Sequence, residues 1–224
     1  MNYRRRETNG VALHAAPITQ SRDELLAQLE HTALPEAMSS DNRQREWLTC
    51  RVLLKELLGE EKEIAYMASG KPYLTDKSHF ISFSHTKGYA AVIACPTHPV
   101  AVDIEYISPR VEKIRHRFMS AEEEKNLSAA QPLLHLLLHW SAKETLFKLL
   151  DAPDIEFQSQ LHIHPFEPVL NAWATLSAHE TYTNEQRKFT VQYLVADEFV
   201  LTAATVLISP PHEGCQTALP TRHP

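Results

Sequence analysis

Asp103 and Glu105 stand two apart inside the apolar run AVDIEYI, residues 101–107. Strand side chains alternate faces, so Ala101, Asp103 and Glu105 share one side and Val100, Val102 and Ile104 the other. Two neighbouring carboxylates repel, and burying them is costly unless positive charge lies between them. A second constellation is WSAKETLFK, residues 140–148, where Trp140, Glu144 and Lys148 follow one helix row at i, i+4 and i+8. Lys143, Phe147 and Leu150 fall on a neighbouring row. An isolated Glu–Lys pair at this spacing is ordinarily a surface pair worth a few tenths of a kcal/mol. Here the preceding PLLHLLLHW is apolar all round, which favours a row that lines a site. Three carboxylates offer hard oxygen donors, the kind Mg²⁺ accepts beside waters and phosphate oxygens. A cation over Asp103 and Glu105 would explain their crowding; the plainer reading is the polar face of an edge strand.

Other side chains could meet a phosphate. Ser84 and His85 sit at a strand-to-turn junction in ISFSHTKG, with Lys87 close by, and all three can donate hydrogen bonds. Lys71 projects from the tight turn of SGKPYL, where a lysine is ordinarily just solvated. Arg43, Arg45 and Arg51 lie on one predicted helix, where arginines ordinarily form a solubilising face. His135 and His139 have metal-ligand spacing, but leucines follow the first histidine where a zincin needs glutamate, so packing histidines are expected. His162 and His164 share a strand face without an acidic neighbour and read as surface residues. No G-x-S-x-G elbow is present.

The whole chain narrows the classes. Its 224 residues suffice for one large domain or two small ones, and 43% apolar with 22% charged residues reads as soluble and globular. Cys50, Cys95 and Cys215 form no CxxC and no paired spacing, which argues against a disulfide framework and fits a reducing, cytoplasmic setting. The start, MNYRRRETNG, has no apolar run behind its charges, so no signal peptide is expected. PLLHLLLHW is too short to span a membrane. A net charge of −6 argues against bulk nucleic-acid binding while leaving room for a local basic pocket. The five glycines are too scattered for a Walker loop or GxGxxG, so any phosphate must be held without a glycine cradle.

The elements that must position these groups are legible in outline. A helix is predicted over SSDNRQREWLTCRVLLKELLG, capped at Ser40 or Asp41 and ended by Gly59. EIAYMASGKPYL is a short strand broken at Ser69–Pro72, and HFISFSHTKGYAAVIACP is two strands joined at HTKG. FMSAEEEKNL starts a helix with a Ser120–Glu123 capping box, and PLLHLLLHWSAKETLFKLLDA is a second long helix. DIEFQSQLHIHPF alternates like a strand, KFTVQYLVADEFVLTAATVLI reads as a hairpin, and the proline-rich tail from Ser209 reads as loose. Residues 40–96 and 132–209 each run helix, short strand, apolar hairpin. That pattern predicts two similar α+β halves with a cleft between them.

Four segments in order, SGKPYL, FSHT, AVDIE and WSAKETLFK, resemble motifs of the 4'-phosphopantetheinyl transferases, over roughly residues 40–206. The length resembles the large pseudo-dimeric, surfactin-synthetase-activating type rather than the small trimeric synthases. The resemblance implies an α+β fold of two halves, 1–98 and 99–208, with 209–224 a flexible tail. It implies transfer of 4'-phosphopantetheine from coenzyme A to a serine of an apo acyl or peptidyl carrier protein, releasing 3',5'-ADP. Mg²⁺, with Mn²⁺ as an alternative, would be held by Asp103, Glu105 and Glu144. Glu144 and Lys148 would be catalytic, and Lys71, Ser84, His85 and either Arg43 or Arg45 would bind coenzyme A. A cytoplasmic monomer without nucleic-acid or membrane partners is expected. Two departures stand out: Ala101 replaces the motif's glycine, and Thr86 replaces its second serine. The stretch Arg110, Lys113, Arg115, His116, Arg117, Phe118 and Met119 offers basic and apolar groups for docking an acidic carrier. Two rival readings are a Mg²⁺-dependent pyrophosphohydrolase of coenzyme A or nucleotides, and a non-catalytic carrier-binding relative.

Overall fold

The computed structural model describes residues 3–6 and 10–206; the tail 209–224, with Cys215, lies outside the described residues. The first half runs β1 (Tyr3–Arg6), β2 (Ala12–Pro17), α1 (Arg22–Leu26), α2 (Asp41–Leu58), β3 (Ile64–Tyr66), β4 (Pro72–Leu74), β5 (Phe80–Thr86) and β6 (Tyr89–Cys95). The second runs β7 (Val100–Tyr106), α3 (Arg110–Ile114), a 3-10 turn at Arg115–Arg117, α4 (Ala121–Lys125) and α5 (Pro132–Leu150). It ends with α6 (Phe157–Gln160), β8 (Leu161–Ile163), β9 (Trp173–Glu180), β10 (Lys188–Val195) and β11 (Phe199–Thr205).

Two antiparallel sheets result, in the orders β1-β2-β6-β5 and β7-β11-β10-β9-β8, with β3 and β4 forming a separate ribbon. This is the expected α+β class. α2 covers one face of the first sheet and α5 one face of the second. Strand β6 shows why: Ala90, Val92 and Ala94 pack under α2, while Ala91, Ile93 and Cys95 point to the opposite face. There they share one apolar core with Val102, Ile104, Leu194 and Leu201 of the second sheet. Burial on both faces accounts for the unbroken apolar sequence of β6. Among the described residues no helix is long and apolar enough to cross a membrane.

Local signals explain the helix ends. Gly59 terminates α2 in the left-handed region at φ 84°, which glycine adopts without steric penalty. Ser120 and Glu123 form the expected reciprocal capping box, but α4 is only five residues long. Asp151 caps α5 at φ 52°. DIEFQSQLHIHPF is extended only over Leu161–Ile163. Its first part is the helical turn α6, closed by Gln160 N–H on the Glu156 carbonyl at 2.9 Å and by Glu156 N–H on the Gln160 side chain at 2.8 Å. Strands β1, β2 and β9 and the capped turn α1 carry no expectation from the sequence; in β2 and β9 alanine, histidine and threonine blur the alternation.

Candidate active site

Strand β7 is the edge of the second sheet and β5 the edge of the first, and the two edges meet. They do not pair by backbone. Instead the hydroxyls of Ser82, Ser84 and Thr86 accept the β7 N–H groups of Val102 (3.3 Å), Ile104 (3.3 Å) and Tyr106 (3.0 Å). Side-chain oxygens thus replace a missing carbonyl ladder, satisfying donors that would otherwise be orphaned at a buried edge.

Asp103 lies in this seam, 4% exposed, beneath α5. Its Oδ1 accepts from Ser84 Oγ at 3.0 Å and Lys148 Nζ at 2.8 Å, and its Oδ2 from Ser141 Oγ at 2.8 Å. Lys148 Nζ also reaches the Val102 carbonyl and Ser84 Oγ, both at 3.1 Å. Glu105, on the same strand face, accepts from Trp140 Nε1 at 2.8 Å. Among the described residues no group donates to Glu144. Burial, then the charge of Asp103, pushes both Glu105 and Glu144 up to about 7. The row Trp140, Glu144, Lys148 therefore does face β7, and the carboxylates of strand and helix share one electric field. Ala101, fully buried, packs in the core beneath α5, so its methyl fills space there.

Beside the seam lie two adjoining pockets that share Gly70, Pro72 and Phe83. One reaches Lys71, Lys148 and Asp151; the other reaches Arg43, Glu46, Arg51, Tyr66 and His85. Lys71 is half-buried, its Nζ 3.5 Å from the Leu149 carbonyl at the end of α5. Burial lowers its pKa, against the pull of Asp151. His85 Nδ1 stands 3.4 Å from Glu46 Oε2, a contact the sequence did not suggest. Arg45 is not part of this wall, because its guanidinium bonds the carbonyls of Gln20 (2.9 Å) and Ile18 (3.0 Å).

Two expectations need correction. Arg51 is not a solubilising surface residue. It is 8% exposed, stacks 3.1 Å from the Trp47 ring centre and donates to the Tyr66 hydroxyl at 3.0 Å, clamping α2 to the ribbon. The i, i+4 spacing of Trp47 and Arg51 was the available signal. Phe118 and Met119 cannot serve a docking surface, since both are buried in the core under α5. The exposed remainder is Arg110, Lys113, His116 and Arg117; Arg115 is paired with Glu124. Lys143, on the row beside Glu144, is wholly buried. His135 and His139 are core residues, whereas His162, His164 and His179 cluster near the surface with the His162 and His179 rings stacked at 4.6 Å.

Among the described residues no three side chains of His, Cys, Asp or Glu are grouped to hold a metal ion as they stand. Asp103 is instead satisfied by Lys148 and two hydroxyls. The donor chemistry and the charge do fit a hard divalent ion: the donors are all oxygen, and burial, then the charge of Asp103, raises two of the three carboxyls to about 7, a cost a cation would offset. Occupation requires Glu105 and Glu144 to turn toward a common point. Residues 99–204, which span β7 to β11 and all three carboxylates, match the model of the 4'-phosphopantetheinyl transferase superfamily. No curated protein matches the chain.

Proposed function

We propose, from the match of residues 99–204 to the 4'-phosphopantetheinyl transferase superfamily, that this protein moves 4'-phosphopantetheine from coenzyme A to a serine of an apo acyl or peptidyl carrier protein, releasing 3',5'-ADP. The observation that carries the proposal is the meeting of AVDIE, SFSHT and the α5 row at one seam, with Lys148 bonded to both Asp103 and Ser84. Residues 1–98 would supply the nucleotide wall and residues 99–208 the reacting groups, within a single monomeric, cytoplasmic chain.

Each side chain then has a task. Arg43, Lys71 and His85 line the pockets and would bind the phosphates and nucleotide; Glu46 would orient His85. Asp103, Glu105 and Glu144 would hold Mg²⁺ or Mn²⁺, which when bound neutralises diphosphate charge. Lys148, 28% exposed and already at the seam, can donate a charge-assisted hydrogen bond to a diphosphate oxygen. Glu144 is the group best suited to accept the serine proton. Asp103 has both oxygens engaged and Glu105 is held by Trp140, whereas among the described residues no group donates to Glu144, which leaves it one oxygen for the cation and one for the proton. The exposed basic residues Arg110, Lys113, His116 and Arg117 would meet an acidic carrier.

Intact-mass measurement of a panel of apo-carriers with coenzyme A and Mg²⁺ tests the reading. A mass gain on the carrier serine is expected with the wild type and not with Glu144→Gln. Coenzyme A cleavage without any carrier adduct would instead identify a pyrophosphohydrolase. Carrier binding without either product would identify a non-catalytic relative.

A further inference from the structure

We propose that Lys143 and Glu123 are positioning residues that aim Glu105 through Trp140. Lys143 precedes Glu144 on α5, and its side chain is 0% exposed. Its ammonium donates to three acceptors: the Phe118 carbonyl at 2.6 Å, Glu123 Oε2 at 2.8 Å and the Phe157 carbonyl at 2.9 Å. Glu123 is saturated in turn, accepting from the N–H of Ser120 at 2.8 Å and of Ile163 at 2.9 Å. Such a network holds its members tightly, because any displacement leaves a buried charge unpaired.

The two carbonyls identify what is being held. Phe118 and Phe157 are the residues whose rings flank Trp140, at centroid distances of 5.2 and 5.8 Å. Trp140 donates to Glu105 at 2.8 Å, and among the described residues no other group donates to that carboxylate. The contacts therefore run from ion pair, to two backbone carbonyls, to two rings, to one indole N–H, to Glu105. Lys143 touches none of the reacting groups. A buried ammonium must satisfy all three of its protons, and the two not taken by Glu123 fall on the residues whose rings flank Trp140. The contact chain is independent of the reaction; its purpose, presenting Glu105 to a bound cation, rests on the proposed transferase function.

Nitrogen-15 spectra of the full chain test it. The three tryptophans give three indole signals, and Trp140→Phe identifies the relevant one. In Lys143→Met and Glu123→Gln, the Trp140 indole should shift and its exchange protection should fall about tenfold, as in Glu105→Gln, while the signals of Trp47 and Trp173 hold. Mn²⁺ affinity, read by electron paramagnetic resonance, should fall about tenfold in Lys143→Met and in Trp140→Phe. The double variant should be no worse than the weaker single one, since both act through the same bond. An unmoved indole in a folded Lys143→Met or Glu123→Gln protein overturns the proposal, as do independent, multiplying losses of Mn²⁺ affinity. If Lys143→Met does not fold, Phe157→Leu, which removes one flanking ring and leaves the ion pair, must shift the indole or the proposal fails. An indole that responds in a protein with no Mn²⁺ affinity at all would leave the positioning chain standing and remove the transferase reading.

Discussion

Acid should cost this protein stability through His135. The ring is fully buried, packs edge-on against Phe166 at 4.4 Å, and accepts the Ser128 N–H at Nδ1 over 2.8 Å. Burial, reinforced by His139, pulls its pKa from the ordinary 6.5 down to about 4. The unfolded chain therefore binds a proton between these values that the folded chain refuses. The His135 contribution to stability is complete above pH 6.5 and is lost as the pH drops toward 4. At about 1.4 kcal/mol per pKa unit the window amounts to about 3 kcal/mol, with a slope of up to about 1.4 kcal/mol per pH unit. His135→Asn keeps an acceptor for Ser128 and removes the titration. It also leaves a cavity, so its stability is lower throughout; the slope, not the level, is diagnostic. Urea unfolding of both proteins at half-unit steps from pH 7 to 4 gives the two curves. The wild type should lose about 3 kcal/mol more than the variant across that range. Parallel curves would refute the reasoning, because they would mean that the histidine binds its proton equally well folded and unfolded.

Three further outcomes follow from the site. Lys148→Met should lower kcat/KM for coenzyme A at least about a hundredfold and destabilise the fold by about 3 kcal/mol, since it leaves buried Asp103 without its cation; steady-state kinetics and urea melts read both, and a fully active variant contradicts the role. Arg43→Ala should raise the coenzyme A Kd about tenfold by calorimetry, whereas Arg45→Ala, which frees two loop carbonyls, should alter stability and leave the Kd in place. Cys50, buried and pushed up to about 12 chiefly by desolvation, and buried Cys95 should resist thiol reagents at pH 8 in a Cys215→Ser protein until urea unfolds it; rapid labelling of the native protein would count against both burials.

Carboxylates, helices and hairpins were legible because each rests on a local rule. Period two put Asp103 and Glu105 on one face, period 3.6 put Glu144 and Lys148 on one row, and Gly59 marked a helix end. What stayed hidden depends on contacts between distant segments. Lys143 sits between Ala142 and Glu144 with nothing local to say that its ammonium is buried, because its three acceptors come from residues 118, 123 and 157. Arg45 and Arg43 look equivalent until the loop carbonyls of residues 18 and 20 claim one of them. The basic stretch 110–119 looked amphipathic, but its two apolar members belong to the core.

The segment SFSHT shows how one alternation can serve structure and chemistry together. Ser82, Ser84 and Thr86 point toward β7 and take its N–H groups, joining two sheet edges that could not pair directly. The same period of two sends Phe83 and His85 to the opposite side, into the pocket wall. A hydroxyl is required at 86 and a serine is not, which is why Thr86 keeps the seam intact where the resembling motif has serine. The seam also explains Asp103. A carboxylate buried between two sheets would be prohibitively costly alone. It is tolerated because the stitching serine, Ser84, donates to it and Lys148 arrives from α5 at the same point. Joining the halves and assembling the anion-facing cluster are thus one arrangement, so a change that loosens the seam, such as Ser84→Ala, acts on fold and site at once.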